Sequence, residues 1–162
     1  MPSEWSGFST SRLPTPPREP GRLQNGEVLP SPSSLSATAR CPCLSGNVYG
    51  DCCGPIHRGD AVAPTAERLM RSRFSAFALG LPQYLLDSWH PSTRPATLDL
   101  DDGLRWQLLE ILRTVNGGPF DTVGTVEFRA TYRAGGERGE LRETSTFTRD
   151  GKRWFYVDGV ID

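Results

Sequence analysis

All four cysteines of this 162-residue chain lie in one stretch, CPCLSGNVYGDCCG, from Cys41 to Gly54. Four thiols so close together must share a cation, pair as disulfides or sit reduced side by side, and each outcome dictates a different local fold. Zinc takes four soft or borderline ligands in a tetrahedron, and thiolates satisfy it in structural sites. A Cys-Pro-Cys pair, the eight residues 44–51 and then Cys-Cys can fold back to place four sulfurs around one ion. Gly46, Asn47 and Gly50 in that loop permit tight turns and bring backbone N–H groups toward the sulfurs. The spacing is not the common C-x-x-C knuckle, so spacing by itself leaves a reduced, metal-free turn as the alternative. With Cys41, Cys43, Cys52 and Cys53 all bound, the coordination shell is filled and the role is structural. His57 in place of one thiolate would instead leave a reactive cysteine.

Disulfides are disfavoured on two grounds. Adjacent Cys52 and Cys53 are poor partners for each other, and two bridges in so small a loop would be strained. The amino-terminal run MPSEWSGFSTSRLPTPPREPGRL lacks the apolar core of a secretory signal, which places the thiols in a reducing cytoplasm, where disulfides are rare. A formal net charge of -1 gives no pull toward nucleic acid or anionic lipid. No run reaches the roughly 18–20 apolar residues of a membrane span. The expectation is a cytoplasmic protein with neither nucleic acid nor membrane as partner.

Three regions follow along the chain. Residues 1–39 are rich in Pro, Ser, Arg and Gly (LPTPPREP, LPSPSSLSA) and should be a disordered tail, with TPP as a candidate proline-rich binding motif. Residues 40–60 hold the knuckle, and 61–162 carry the periodic patterns of a folded domain. In PTAERLMRSRFSAFALG, Thr65 can cap a helix, Glu67 suits its first turn, Gly80 its end, and Met70, Phe74, Phe77 and Ala78 form the apolar stripe. LPQYLLDSWHPS predicts a shorter helix with Pro82 in its first turn, Leu81, Leu85 and Trp89 aligned, and Pro91 beyond its end. The period then changes from helical to alternating. VEFRATY predicts a half-buried strand, AGGERGE a turn, LRETSTF a second strand, RDGK a tight turn and RWFYVDGV a last strand. RWQLLEILRTV fits helix or strand. Helices followed by antiparallel strands indicate an α+β domain with helices on one sheet face.

Cys41, Cys43, Ser45, Gly46, Tyr49, Cys52, Cys53 and Gly54 match the SEC-C motif, usually C-P-C-G-S-G, a short spacer with an aromatic, then C-C-G. Downstream, LMRSRFSAFALG, YLLDSWHPSTRP, LRETSTF and RWFYVDG resemble the YchJ family of bacterial proteins, in the right order from about residue 40 to 160. The resemblance implies a nuclear-transport-factor-2-like domain, a cone-shaped, curved antiparallel sheet packed on helices and preceded by a small zinc knuckle. It makes RWQLLEILRTV the first long strand and implies Cys41, Cys43, Cys52 and Cys53 as ligands of a structural zinc. It supplies no activity. Two departures stand out. Leu44 occupies a position where the family has Gly, which would cost on the order of 1–2 kcal/mol if the backbone there needs a positive φ. The second SEC-C motif that many members carry is absent before Asp162.

Folds of this class often enclose a cavity, so polar residues on apolar faces are the candidates for a pocket. Glu143 alternates with Leu141, Ser145 and Phe147, and Arg73 flanks the buried stripe of its helix. A buried Glu143 could act as a general base, its pKa raised by desolvation; paired with Arg73 it would instead stay charged and fix helix to sheet. His90 beside Trp89 could sit at a pocket mouth or meet a helix end, with Tyr84, Trp106, Tyr156 and Asp158 as further lining. Asp99, Asp101 and Asp102 lack the spacing of a calcium loop and read as a solvated loop. No phosphate-binding loop, Ser-His-Asp set or metalloprotease helix is present. The chain therefore reads as a zinc-binding protein that engages a protein partner or small ligand, with a homodimer expected from such sheets. Two other readings stay open, an isomerase- or hydrolase-like enzyme using Glu143 or His90, and a ribosome- or translocation-linked adaptor acting through the knuckle.

Overall fold

The computed structural model describes residues 35–162; the expected disorder and the TPP motif of the tail fall on residues 1–34, outside the described part. The knuckle begins earlier than the predicted boundary at residue 40. The N–H groups of Tyr49 and Gly50 donate to the carbonyls of Ala39 and Ala37 (2.8 Å each), and Arg40 bridges to Val48, so residues 36–39 belong to it. A 3-10 turn, Tyr49–Asp51, leads into helix α1, Cys53–Arg58.

Helix α2, Ala66–Leu79, starts where predicted, with Thr65 Oγ1 accepting from the Arg68 N–H at 3.1 Å, and ends at Gly80 with φ 68°. Only glycine adopts that left-handed conformation without strain. Helix α3, Pro82–Asp87, is shorter than predicted. Pro91 biases His90 toward extended backbone, and residues 88–90 run beside the last strand instead of continuing the helix. Tyr156 N–H donates to Ser88 O at 2.9 Å, and His90 N–H donates to Tyr156 O at 2.7 Å. The expectation that His90 meets a helix end is thereby corrected.

Four strands, β1 Leu104–Asn116, β2 Val123–Ala134, β3 Glu137–Asp150 and β4 Arg153–Ile161, form an open antiparallel meander in sequence order. The β2–β3 turn is only Gly135-Gly136, both at positive φ, the pattern of a type I′ hairpin; the predicted longer turn AGGERGE is mostly strand. β1 carries register shifts at Gln107 and Leu112, and such bulges bend and twist a strand. The shift at Gln107 explains the ambiguous pattern of this segment. Leu104 and Trp106 face the core before it, and Leu109 and Ile111 after it, so strict alternation is lost.

The core lies between α2 and the inner sheet face, built from Leu69, Met70, Phe74, Trp89, Leu109, Val126, Phe128, Ala130, Phe147, Trp154 and Tyr156. The alternations read in β2 and β3 point inward as expected, including Glu143, which is fully buried. The outer face is polar: Arg129 pairs with Glu110 and Glu140, and Arg142 with Glu127 and Asp162. Among the described residues, no helix is long and apolar enough to cross a membrane.

Candidate metal centre

The backbone brings the two halves of the motif together at their ends. Cys41 N–H donates to Asn47 O (2.9 Å), Leu44 N–H returns to Cys41 O (3.1 Å), and Cys52 N–H to Tyr49 O (3.1 Å). Leu44 sits at φ 59°, so the departure noted in the sequence falls on a left-handed position where a side chain is strained. Gly54 is required for a different reason: a β-carbon there would lie 2.7 Å from Tyr49 O.

All four cysteines are free and buried. One sulfur from each of Cys41, Cys43, Cys52 and Cys53 lies within 4.8 Å of the other three. Cys43 Sγ and Cys52 Sγ are 3.5 Å apart, and Cys52 Sγ and Cys53 Sγ 3.9 Å. Four sulfurs at about 2.3 Å from a tetrahedral ion stand about 3.8 Å from one another, so the donor set and its spacing fit a metal ion. Hydrogen bonds from Cys43 and Cys53 hold the Cys41 thiol down to about 3, while sharing with Cys41 pushes the Cys53 thiol up. Buried thiolates this close cannot all carry charge unless a cation stands among them.

Helix α2 supplies the surroundings. Arg68 donates from Nη1 to Cys52 Sγ (3.3 Å) and from Nη2 to Cys52 O (3.4 Å), and Arg71 donates to Cys43 O (3.1 Å). Ser75 Oγ donates to Cys53 Sγ at 3.3 Å, and Ser45 Oγ lies 3.2 Å from Cys52 Sγ. Burial alone would lower the Arg68 pKa, but the Cys52 bond and the sulfur charges outweigh it and raise it. Arg68, Arg71, Ser72 and Ser75 recur at i, i+3, i+4 and i+7, one helical face. This stripe was not singled out from the sequence; two arginines and two serines at helical spacing were the available signal.

His57 lies outside the ligand group. Its Nε2–H donates to Ser72 O at 2.7 Å, and its Nδ1 accepts from the Tyr49 hydroxyl at 2.8 Å. With both nitrogens engaged it ties α1 and the 3-10 turn to α2, and the suggestion that it replaces a thiolate is corrected. Burial pushes its pKa down, against the Ser72 carbonyl and the Cys43 charge, which raise it.

The residues singled out for a pocket are scattered. Arg73, Trp89, Glu143 and Tyr156 are packed in the core, at 2%, 2%, 0% and 1% exposure. Arg73 donates to Leu85 O (2.8 Å) and Ser88 Oγ (2.7 Å), and its guanidinium stands 4.4 Å from the Tyr156 ring centroid. Burial lowers its pKa to about 10, opposed by attraction to Tyr156, Tyr84 and Glu143. Glu143 Oε1 accepts from Ser145 Oγ (2.7 Å) and Tyr156 Oη (3.3 Å), and a β-carbon on Gly159 would collide with that carboxyl. Tyr84 donates to Ser72 Oγ (2.6 Å) and borders a cleft of about 230 Å³ with Ile56, Leu69, Arg153 and Trp154. Trp106 borders a separate trough against α2. His90 turns to Ser92 (2.6 Å) and Phe155, and Asp158 is exposed on β4. The single pocket suggested by the sequence does not form from these residues.

Comparison with known proteins agrees with this architecture. Residues 65–159 match the family model described as "YchJ, middle NTF2-like domain", and residues 38–55 match the SEC-C motif. A UPF0225 protein of Corynebacterium glutamicum is 54% identical over 123 residues, covering 76% of this chain and 98% of that protein. One of Streptomyces coelicolor is 55% identical, covering 75% and 95%. The solution structure of a SEC-C motif containing protein from Rhodopseudomonas palustris superposes with a TM-score of 0.65 at 32% identity, covering 74% of this chain and 96% of that one. The crystal structure of a SEC-C motif containing protein from Psychrobacter arcticus gives 0.63 at 26% identity, covering 79% and 86%.

Proposed function

Since this chain belongs to the YchJ (UPF0225) family, we propose that it is a zinc-stapled binding module, in which a structural zinc locks the knuckle onto α2 so that the domain can present a fixed surface to a protein partner. The observation that supports this most is the seal over the cysteines: all four are at most 3% exposed, with Arg68, Arg71 and Ser75 closed over them. When bound, zinc would be held by Cys41, Cys43, Cys52 and Cys53 and would supply charge balance and a cross-link; a catalytic zinc needs an open position. The soft donor set favours zinc over hard cations. Four thiolates require a reducing compartment, which the cytoplasm provides.

Native mass spectrometry of the purified full chain tests this reading. One zinc per chain, lost when the thiols are alkylated under denaturing conditions, is the expected result. Four titratable thiols and no metal in protein purified without chelators would overturn it.

A further inference from the structure

We propose that the cleft between α1, residues 59–63, α3 and the start of β4 is a binding site for a small organic acid with a compact apolar body, distinct from any surface that meets a protein partner. Both halves of the molecule build it. Ile56 comes from α1, the helix that starts at Cys53, and Ala61, Val62 and Ala63 follow that helix; Leu69, Tyr84 and Trp154 come from α2, α3 and β4. Small-ligand sites concentrate at such junctions. The wall that follows α1 is held in place before any ligand arrives. The N–H groups of Asp60 and Ala61 both donate to Pro55 O (2.9 and 3.2 Å), and the Trp154 indole donates to Pro64 O at 3.3 Å. Little ordering therefore opposes binding.

The cleft measures about 230 Å³. A cavity of about 150 Å³ takes a benzene ring, so in the same proportion this one takes about nine non-hydrogen atoms. That is one compact molecule, too little for a run of peptide. The floor selects an apolar body. Ala63, Leu69 and Trp154 are buried there, and both hydroxyls that border it are already engaged. Ser88 Oγ donates to Leu85 O (3.2 Å) and accepts from Arg73 (2.7 Å). Tyr84 donates to Ser72 Oγ (2.6 Å), whose own hydrogen goes to Leu69 O (2.7 Å). A ligand rich in hydroxyls would leave them unpaired in this floor, at a cost.

Among the described residues lining the cleft, Arg153 alone is charged. It is exposed, and its guanidinium stands 5.2 Å from the Phe155 ring centroid, a contact that steadies a planar cation. It takes part in none of the ion pairs found among the described residues. Asp150 lies opposite it in register without pairing, and Asp60 on the facing wall is taken by Arg58 at 2.9 Å. Its charge is felt inside the cleft: burial raises the Tyr84 pKa, and Arg153 is among the groups that oppose the rise. One unpaired guanidinium balances one negative charge and matches the geometry of a carboxylate, whereas a phosphate monoester brings nearly two charges.

The test titrates phenylacetate, phenylacetamide and phenyl phosphate into the zinc-loaded full chain and follows backbone and indole N–H shifts. Phenylacetate should bind at least about tenfold more tightly than the amide, weaken with salt, and shift residues 59–63, Tyr84, Arg153 and the Trp154 indole. Arg153→Gln, at an exposed position, should lose about tenfold in affinity for phenylacetate, with melting temperature and zinc content unchanged. Equal binding of acid and amide, undiminished binding by the variant, or tighter binding of phenyl phosphate would overturn the proposal. So would shifts on another face, or no binding, the result expected if the chain's own residues 1–34 fill the cleft. The peptide acetyl-Ala-Ala-Phe ends in the same benzyl-bearing carboxylate. Tighter binding of that peptide than of phenylacetate would give the site to a protein's carboxyl terminus and overturn the small-acid assignment.

Discussion

Arg68 reaches from α2 to the knuckle and donates to Cys52 twice, from Nη1 to the sulfur at 3.3 Å and from Nη2 to the carbonyl at 3.4 Å. One side chain therefore neutralises a ligand, orients it and binds the knuckle to the helix beneath the sheet. Residues that orient metal ligands typically change affinity by about 10–100-fold when removed. Arg68→Ala is expected to weaken zinc binding within that range, with Arg68→Lys in between because an ammonium keeps the charge but not the fork. Competition against a chromophoric chelator measures it; unchanged affinity in Arg68→Ala would show that the contact is incidental.

Leu44 has a backbone φ of 59° and a side chain that is 47% exposed. Little packing opposes its removal, while a left-handed L-residue costs roughly 1–2 kcal/mol. Glycine gives back part of that gain through its freer unfolded chain. Leu44→Gly should therefore raise stability by about 0.5–1 kcal/mol in urea unfolding of the zinc-loaded protein. A loss of stability would mean that Leu44 makes a contact worth more than its strain.

Much of this was legible in the residues themselves. Clustering identified the four sulfur donors, Thr65 and Gly80 marked the ends of α2, and period-two patterns placed Val126, Phe128, Leu141, Glu143 and Phe147 inward. What stayed hidden depended on features without a local signature. The bulges at Gln107 and Leu112 broke the phase of β1, so Leu104, Leu108, Ile111 and Val115 fitted a helix equally well. The stripe Arg68, Arg71, Ser72 and Ser75 went unremarked because its partner, the knuckle, is distant in sequence. Alternation placed Glu143 inside, but only the pairing of Ser145 with Gly159 in register shows that the missing side chain of Gly159 makes room for the carboxyl.

His57 provides a pH signature. Its folded pKa lies below the unfolded value, burial being the main cause, so above about pH 6.5 it is neutral in both states and adds no slope. Below that, the unfolded chain takes the proton first, and stability falls by up to about 1.4 kcal/mol per pH unit until the folded pKa is reached. His57→Gln keeps a donor and an acceptor without a titrating ring, and is expected to be less stable at neutral pH but flatter toward pH 5. Urea unfolding of both proteins at saturating zinc, compared as a difference, cancels the proton dependence of the thiolates. Parallel curves would contradict a neutral, buried His57.

Whether the metal is sealed and structural is decided most directly by X-ray absorption at the zinc edge of the native protein. Four sulfur scatterers at about 2.3 Å, with no nitrogen or oxygen neighbour, are the predicted result. A shell of three sulfurs and one nitrogen or oxygen would contradict it, because a histidine or an exchangeable water would then stand where Cys41, Cys43, Cys52 and Cys53 are held to close the site.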